Sequence, residues 1–246
     1  MSEVLEFIRQ DALFDVVLND SAGGNLISNE DGDRIAAALA ALDAEVKLVR
    51  IRTDGQDFCR GRVSLVPKPG TAVLSGLELK QKVAEPALRV YEALRNVPVP
   101  VLSVVRGAAL GYGCGLVAAS DITLASDAAE FQVPELERNI PPTLVMTALM
   151  GRIPHKAIAH MVLSRDTISA AQALEWGLVT KVLASAELDA EVERLTRTIL
   201  AYAPESVRAV KEYLRHAPGL SGQAQASLAA NIAGTALSSR FVQMRP

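Results

Sequence analysis

The segment VLSVVRGAALGYGCGLVAA, residues 101–119, decides how the chain folds. Its first five residues are mostly β-branched and apolar. Such an unbroken run reads as a strand covered on both faces. Its last four, Leu116 to Ala119, read as helix. Between them Gly107, Gly111, Gly113 and Gly115 crowd one turn. Glycine lets backbone approach a ligand closely, and amides at a helix start point outward, unpaired and electropositive. The turn can therefore hold an anion, including a transient oxyanion. Tight packing of helix on strand accounts for the same glycines equally well. A dinucleotide fingerprint matches poorly, because Leu116 stands where the third glycine of G-x-G-x-x-G belongs.

Outward from this turn, strands and helices alternate. Residues 14–18 read as a strand closed by turn residues 19–24. Ile35, Leu39, Leu42 and Val46 make a helical stripe, and residues 48–53 a second strand. A Pro/Gly-rich loop is expected over 62–76. Pro86 interrupts a helix over 77–95, whose stripe is Val83, Ala87, Val90 and Leu94, and predicts a kink or restart. Residues 122–125 read as another strand. Beyond them 156–163, 170–176, 188–201, 206–214 and 223–237 read as helices. The expected organisation is an α/β core over residues 1–190 and a helical segment over 191–246.

The 246 residues are 50% hydrophobic but only 4% aromatic, so the core must be aliphatic. Lys and Arg number 25 against 28 Asp and Glu, and the net charge of −3 excludes the basic balance of a duplex nucleic-acid binder. Cys59 and Cys114 make neither a disulfide framework nor metal-site spacing, so a reducing compartment is the simplest reading. Glu3, Glu6, Arg9, Asp11 and Asp15 leave no secretory hydrophobic region, and no apolar stretch is long enough to span a bilayer. A cytoplasmic protein with no membrane or nucleic-acid partner is expected.

Two further segments can carry chemistry. Asp57 to Arg62 forms a turn after a strand; taken alone, it reads as a solvated basic loop. Glu135 sits among Val133, Pro134, Leu136 and Ile140. A carboxylate held among apolar groups has a raised pKa and suits proton transfer near neutral pH. An exposed glutamate at a helix entry is the plainer alternative. His155 and His160 are five apart and His216 stands alone, so no metal site is expected.

Together these segments resemble the crotonase superfamily, the enoyl-CoA hydratase/isomerase family, over nearly the whole chain. Asn25-Leu26-Ile27-Ser28 is similar to its N-A-L-[NS], and Phe58-Cys59-Arg60-Gly61-Arg62 to its F-x-A-G-x-D. Pro100 to Gly107 with Ala109 to Cys114 is similar to K-P-x-I-A-A-V-x-G-x-A-x-G-G-G. Ser120-Asp121-Ile122, residues 131–135, residues 163–170 and Gly177-Leu178-Val179 follow in family order. The fold implied is α/β, a crotonase-like ββα spiral with a C-terminal helical oligomerisation segment. The assembly implied is a homotrimer or a dimer of trimers. An apolar tail with Leu228, Ile232 and Leu237 at helical spacing is consistent with a partner.

The resemblance also implies an acyl-CoA thioester substrate, with coenzyme A arriving as part of it and no separate cofactor. The thioester oxygen would lie between the backbone N–H groups of Arg62 and Tyr112. The CoA adenine end would lie near Leu26 and Arg60, with the charges of Arg60 and Arg62 available to phosphates. Hydratases of the family use two glutamates. Here the first position is Gly115 and the second is Glu135. One base suits Δ3 to Δ2 double-bond isomerisation, with Glu135 carrying a proton between carbons 2 and 4. Hydration with Glu137 or Glu130 as a substitute second acid is one alternative, and a non-catalytic acyl-CoA-binding subunit is another. Tyr112 replaces a glycine and adds bulk and a hydroxyl beside the acyl group. Val63 replaces a common Asp, and Pro141-Pro142-Thr143 replaces the usual G-x-G-G.

Overall fold

The chain opens with an antiparallel hairpin, β1 (Leu5–Gln10) and β2 (Leu13–Leu18), turned at Asp11 in a left-handed conformation. The structure is a computed structural model that describes residues 5–63 and 73–243, so most of the expected 62–76 loop lies outside the described residues. Helix α1 (Asn29–Ala40) starts at a capping box formed by Ser28 and Asp31. It ends earlier than the stripe predicts. Val46 continues the apolar spacing because it is buried in the turn leading to β3 (Leu48–Thr53). Helix α2 (Gly76–Leu79) passes through one π-helical turn, Lys80–Ala84, into α3 (Glu85–Asn96). The restart expected at Pro86 takes this form: Pro86 falls in the first turn of α3, where a missing N–H leaves no bond unmade.

The deciding segment forms β4 (Val101–Val105), β5 (Ala108–Leu110) and α4 (Tyr112–Ala119), and every residue of β4 is buried. Next come β6 (Ile122–Ser126), β7 (Glu130–Gln132), a 3₁₀ turn at Glu135–Arg138 and α5 (Thr143–Leu149). The chain continues through α6 (His155–Ser164), β8 (Ile168–Ser169), α7 (Ala170–Glu175) and β9 (Lys181–Leu183). It ends with α8 (Leu188–Leu200), α9 (Pro204–His216) and α10 (Gly222–Gln243).

Two sheets result. The larger has the order β1-β2-β3-β4-β6-β9, with each pair after the hairpin parallel. The smaller, β5-β7-β8, is extended by parallel bridges between Cys59 and Ala109 and between Ile27 and Arg62. Strands β2, β3, β4 and β6 therefore each hand the chain to a short segment on the small sheet and then to a helix. The sequence β4, β5, α4 is one such unit, and β6, β7, α5 the next.

An aliphatic core fills the space between sheets and helices. On the other face of the large sheet, Leu48, Leu102 and Leu124 pack with Leu188, Val192 and Ile199. The expected boundary at residue 190 thus falls inside α8, a helix that seals this face. Lys211 of α9 is buried 2.6 Å from Asp121 Oδ2, which also accepts from the Val101 N–H at 2.8 Å. Helix α10 packs on α9, with Leu228 and Ile232 half-buried against it and Leu237 exposed. Among the described residues, no helix is long and apolar enough to cross a membrane.

Candidate active site

The small sheet sets the geometry. The Leu110 N–H donates to Cys59 O at 2.9 Å, and the Phe58 and Cys59 N–H groups donate to Ala108 O at 3.0 and 3.1 Å. On the other side β5 runs parallel to β7, and the Gly111 N–H donates to Gln132 O at 2.8 Å. Three neighbouring segments thus end side by side. Arg62 follows the first, Tyr112 the second and Glu135 the third, and all three line one cavity of about 480 Å³.

Two N–H groups at this place are unpaired. Ile27 bonds the chain on either side of Arg62, through Gly61 O at 3.3 Å and the Val63 N–H at 3.0 Å. Parallel pairing directs the N–H of the residue between them the other way. Tyr112 opens α4, where the first-turn N–H groups have no intrahelical acceptor. Among the described residues, neither N–H has a hydrogen-bond partner.

The glycines serve both readings of the turn. Gly111 holds φ 50°, and a Cβ there would stand 2.6 Å from Glu135 Oε1. A Cβ on Gly113 would stand 2.1 Å from Cys59 O, so this glycine lets α4 pack directly on the neighbouring segment. Asp57 locks the two turns together. Its Oδ1 accepts from the Ala108 N–H at 2.9 Å and its Oδ2 from Arg60 at 2.6 Å. Burial acts to raise the Asp57 carboxyl, but those two donors outweigh it and hold the group below the ordinary range. Asn25 braces the first turn from behind, its Nδ2 donating to Thr53 Oγ1 and to the Asp57 and Phe58 carbonyls at 3.0, 3.0 and 3.2 Å.

Glu135 is half-buried at the start of the 3₁₀ turn, not solvated. Burial pushes its carboxyl above the ordinary range, against the opposing pull of its own backbone amide and of Arg138. Its Oε2 is buried and has no hydrogen-bond partner among the described residues. At Gly115, where the resemblance leaves a second carboxylate missing, the space is filled. A Cβ there would stand 2.1 Å from the Tyr91 hydroxyl. Tyr91 stacks on the Tyr112 ring with centroids 5.1 Å apart and donates to Tyr112 O at 3.2 Å. It is 1% exposed, and burial holds its hydroxyl protonated. Sequence reasoning missed Tyr91. Its signal was available: it falls four residues after Ala87 and three before Leu94, on the buried stripe of α3.

The remaining expected residues divide. Leu26 and Arg60 line the cavity, and Arg60 is exposed. Arg62 turns its guanidinium inward, donating to Val83 O at 2.7 Å and to Asn29 Oδ1, 5.9 Å above the Tyr112 ring. Glu137 lines the cavity but sits 3.7 Å from Arg165, and Glu130 borders a separate recess.

Residues 9–244 match the model of the enoyl-CoA hydratase/isomerase family. The chain belongs to that family. It is 31% identical over 186 residues to enoyl-CoA hydratase domain-containing protein 3, mitochondrial, of Homo sapiens. That match covers 71% of this chain and 60% of the human relative's length. The crystal structure of the human protein superposes with a TM-score of 0.87 at 25% identity, covering 99% of each chain. A Thermobifida fusca structure in complex with CoA superposes with a TM-score of 0.84 at 26% identity, covering 98% of this chain and 94% of that one. The fold of this family member is therefore the crotonase-like α/β spiral with C-terminal helices.

Burial of Glu135 has a thermodynamic consequence. A carboxyl whose pKa is raised by folding favours the folded state below its unfolded pKa and loses that contribution as pH rises through the folded value. Glu135→Gln cannot ionise. Its melting temperature relative to the wild type is therefore expected to rise between about pH 4 and about pH 7. Thermal unfolding of both proteins across that range checks this, and a difference that stays constant would contradict a raised Glu135 pKa.

Proposed function

We propose that the protein acts on an acyl-CoA thioester and moves a double bond from the Δ3 to the Δ2 position. One observation carries this reading: among the described residues, a single buried, unpartnered carboxylate stands beside two unpaired N–H groups, with Tyr91 where a second acid would stand. The thioester oxygen lies between the N–H groups of Arg62 and Tyr112. Glu135 takes a proton from carbon 2, and the C–H electron pair passes into an enolate whose charge rests on that oxygen. The charge then returns, a π bond forms between carbons 2 and 3, and the former C3–C4 π pair takes the proton from Glu135 at carbon 4. Nothing is gained or lost, and Glu135 is again a carboxylate. Each oxyanion donor of this kind is worth about 2.7–4 kcal/mol of barrier. A base with a raised pKa is better matched to proton transfer near neutral pH.

CoA enters as part of the substrate, and the chemistry needs no further cofactor. Leu26 and the exposed Arg60 border the cavity and suit its nucleotide end. With the Arg62 guanidinium engaged inside, Arg60 is the residue left for phosphates. Hydration has the names of relatives behind it. Against it stands the Tyr91 ring, which occupies the place of the group that would split water.

Residues 1–190 carry this site, and residues 191–246 supply the contacts of a homotrimer or a dimer of trimers. Exposed Tyr202, Val210, Leu214 and Leu237 support that assembly, since apolar surface of this kind favours a partner. Light scattering is expected to give a trimer or hexamer mass; a monomer would overturn the assembly.

The activity is tested with 3-enoyl-CoA and 2-enoyl-CoA as separate substrates. The wild type is expected to isomerise the first and to hydrate the second slowly or not at all. Glu135→Gln is expected to lose about 10²–10⁴-fold in isomerisation. Full activity in that variant, or hydration faster than isomerisation in the wild type, would sink the proposal.

A further inference from the structure

We propose that the acyl group of the substrate carries its own carboxylate, received by the Arg62 guanidinium; the inference rests on reading this cavity as a CoA-thioester site. The Arg62 side chain is half-buried on the cavity wall. Both groups that hold it, Val83 O and Asn29 Oδ1, are neutral. Its Cζ lies over the Tyr112 ring, 5.9 Å from the centroid, a contact that attracts the cation without cancelling its charge. Guanidinium has five N–H donors, and these two bonds leave more than half of them free.

Among the described residues, no carboxylate answers that charge, and none lies within ion-pair distance of Arg62. Asp33, the carboxylate whose field reaches it, is tied to Arg89. Glu137, on the same cavity wall, faces Arg165. Residues 64–72, which follow Arg62 in the chain, include neither Asp nor Glu. Arg50, which is more deeply buried, is by contrast held by both Asp15 and Glu193 at 2.8 Å. A buried cation without a counter-ion is costly, and a ligand anion that supplies one is correspondingly favoured.

The position selects the class of ligand. The backbone N–H of Arg62 is proposed to hold the thioester oxygen, and its guanidinium stands one side-chain length away in the same cavity. An acyl chain whose far end bears a carboxylate a few bonds from the thioester meets both groups of one residue. The substrate class is thus the mono-CoA thioester of a short dicarboxylic acid. The aliphatic wall beside it, with Val83, Ala87 and Val145, accommodates the methylenes between the two ends.

Calorimetric binding of saturated thioesters tests this without any turnover. Glutaryl-CoA and adipyl-CoA are compared with pentanoyl-CoA and hexanoyl-CoA, which have the same chain lengths and no terminal charge. The wild type is expected to bind the charged member of each pair roughly tenfold to a hundredfold more tightly. Arg62→Met keeps the backbone N–H and the stem; it is expected to abolish the preference, and Arg62→Lys to retain part of it. Equal affinities within each pair in the wild type, or a preference that survives in Arg62→Met, would overturn the inference. If neutral thioesters bind as tightly as charged ones while 3-enoyl-CoA is still isomerised, the carboxylate assignment fails and the isomerase reading stands. If no CoA thioester binds at all, both fall.

Discussion

Side-by-side pairing of residue 59, residues 108–110 and residues 130–132 in the small sheet is the constraint on which the active site depends. None of these segments is long, and none would hold its shape alone. Paired in parallel, they release the chain at one end of the sheet at three adjacent points. Those points supply the Arg62 N–H, the Tyr112 N–H and the Glu135 carboxylate. The spacing tolerates little error. A side chain on Gly113 would press into Cys59 O and force α4 away, separating the two N–H groups. One on Gly111 would displace Glu135 and would be strained at its positive φ. Small shifts of this kind matter because positioning supplies much of a catalytic barrier reduction.

Energetically the cavity is expensive to maintain. Glu135 Oε2 is buried with no hydrogen-bond partner, and Arg62 is half-buried with only neutral ones. Elsewhere the protein pairs its buried charges, as Asp15 with Arg50 and Asp121 with Lys211. In the cavity, by contrast, an unpartnered carboxylate and a cation with only neutral partners line the same space, where an incoming ligand can satisfy them. The Tyr91–Tyr112 stack completes the wall and restricts the chemistry. It places aromatic volume beside Gly115, which in the proposed reaction leaves one proton-carrying group beside two oxyanion donors.

Much of this was legible in the sequence, and for local reasons. The β-branched run and crowded glycines of residues 101–119 mark a buried strand, a tight turn and a helix start without reference to distant residues. Glu135 was legible because its own neighbours are apolar. The strand β1 was not, since Glu6, Arg9 and Gln10 interrupt any alternation on this sparsely buried edge. Strands β5, β7 and β8 have only two or three residues, too few for a period to show. What the site lacked in the sequence was its long-range content. Nothing near Gly115 announces that Tyr91 fills the space beside it, and nothing near Arg62 announces that its guanidinium turns inward.

In the proposed reaction the backbone N–H groups of Arg62 and Tyr112 polarise a thioester oxygen. Infrared difference spectroscopy of a ¹³C-labelled thioester carbonyl, free and bound to the protein, measures this directly. The carbonyl stretch is expected to move to lower frequency on binding, as two hydrogen bonds draw charge onto the oxygen. A carbonyl that binds with its stretch at the solution frequency would contradict an oxyanion site formed by Arg62 and Tyr112.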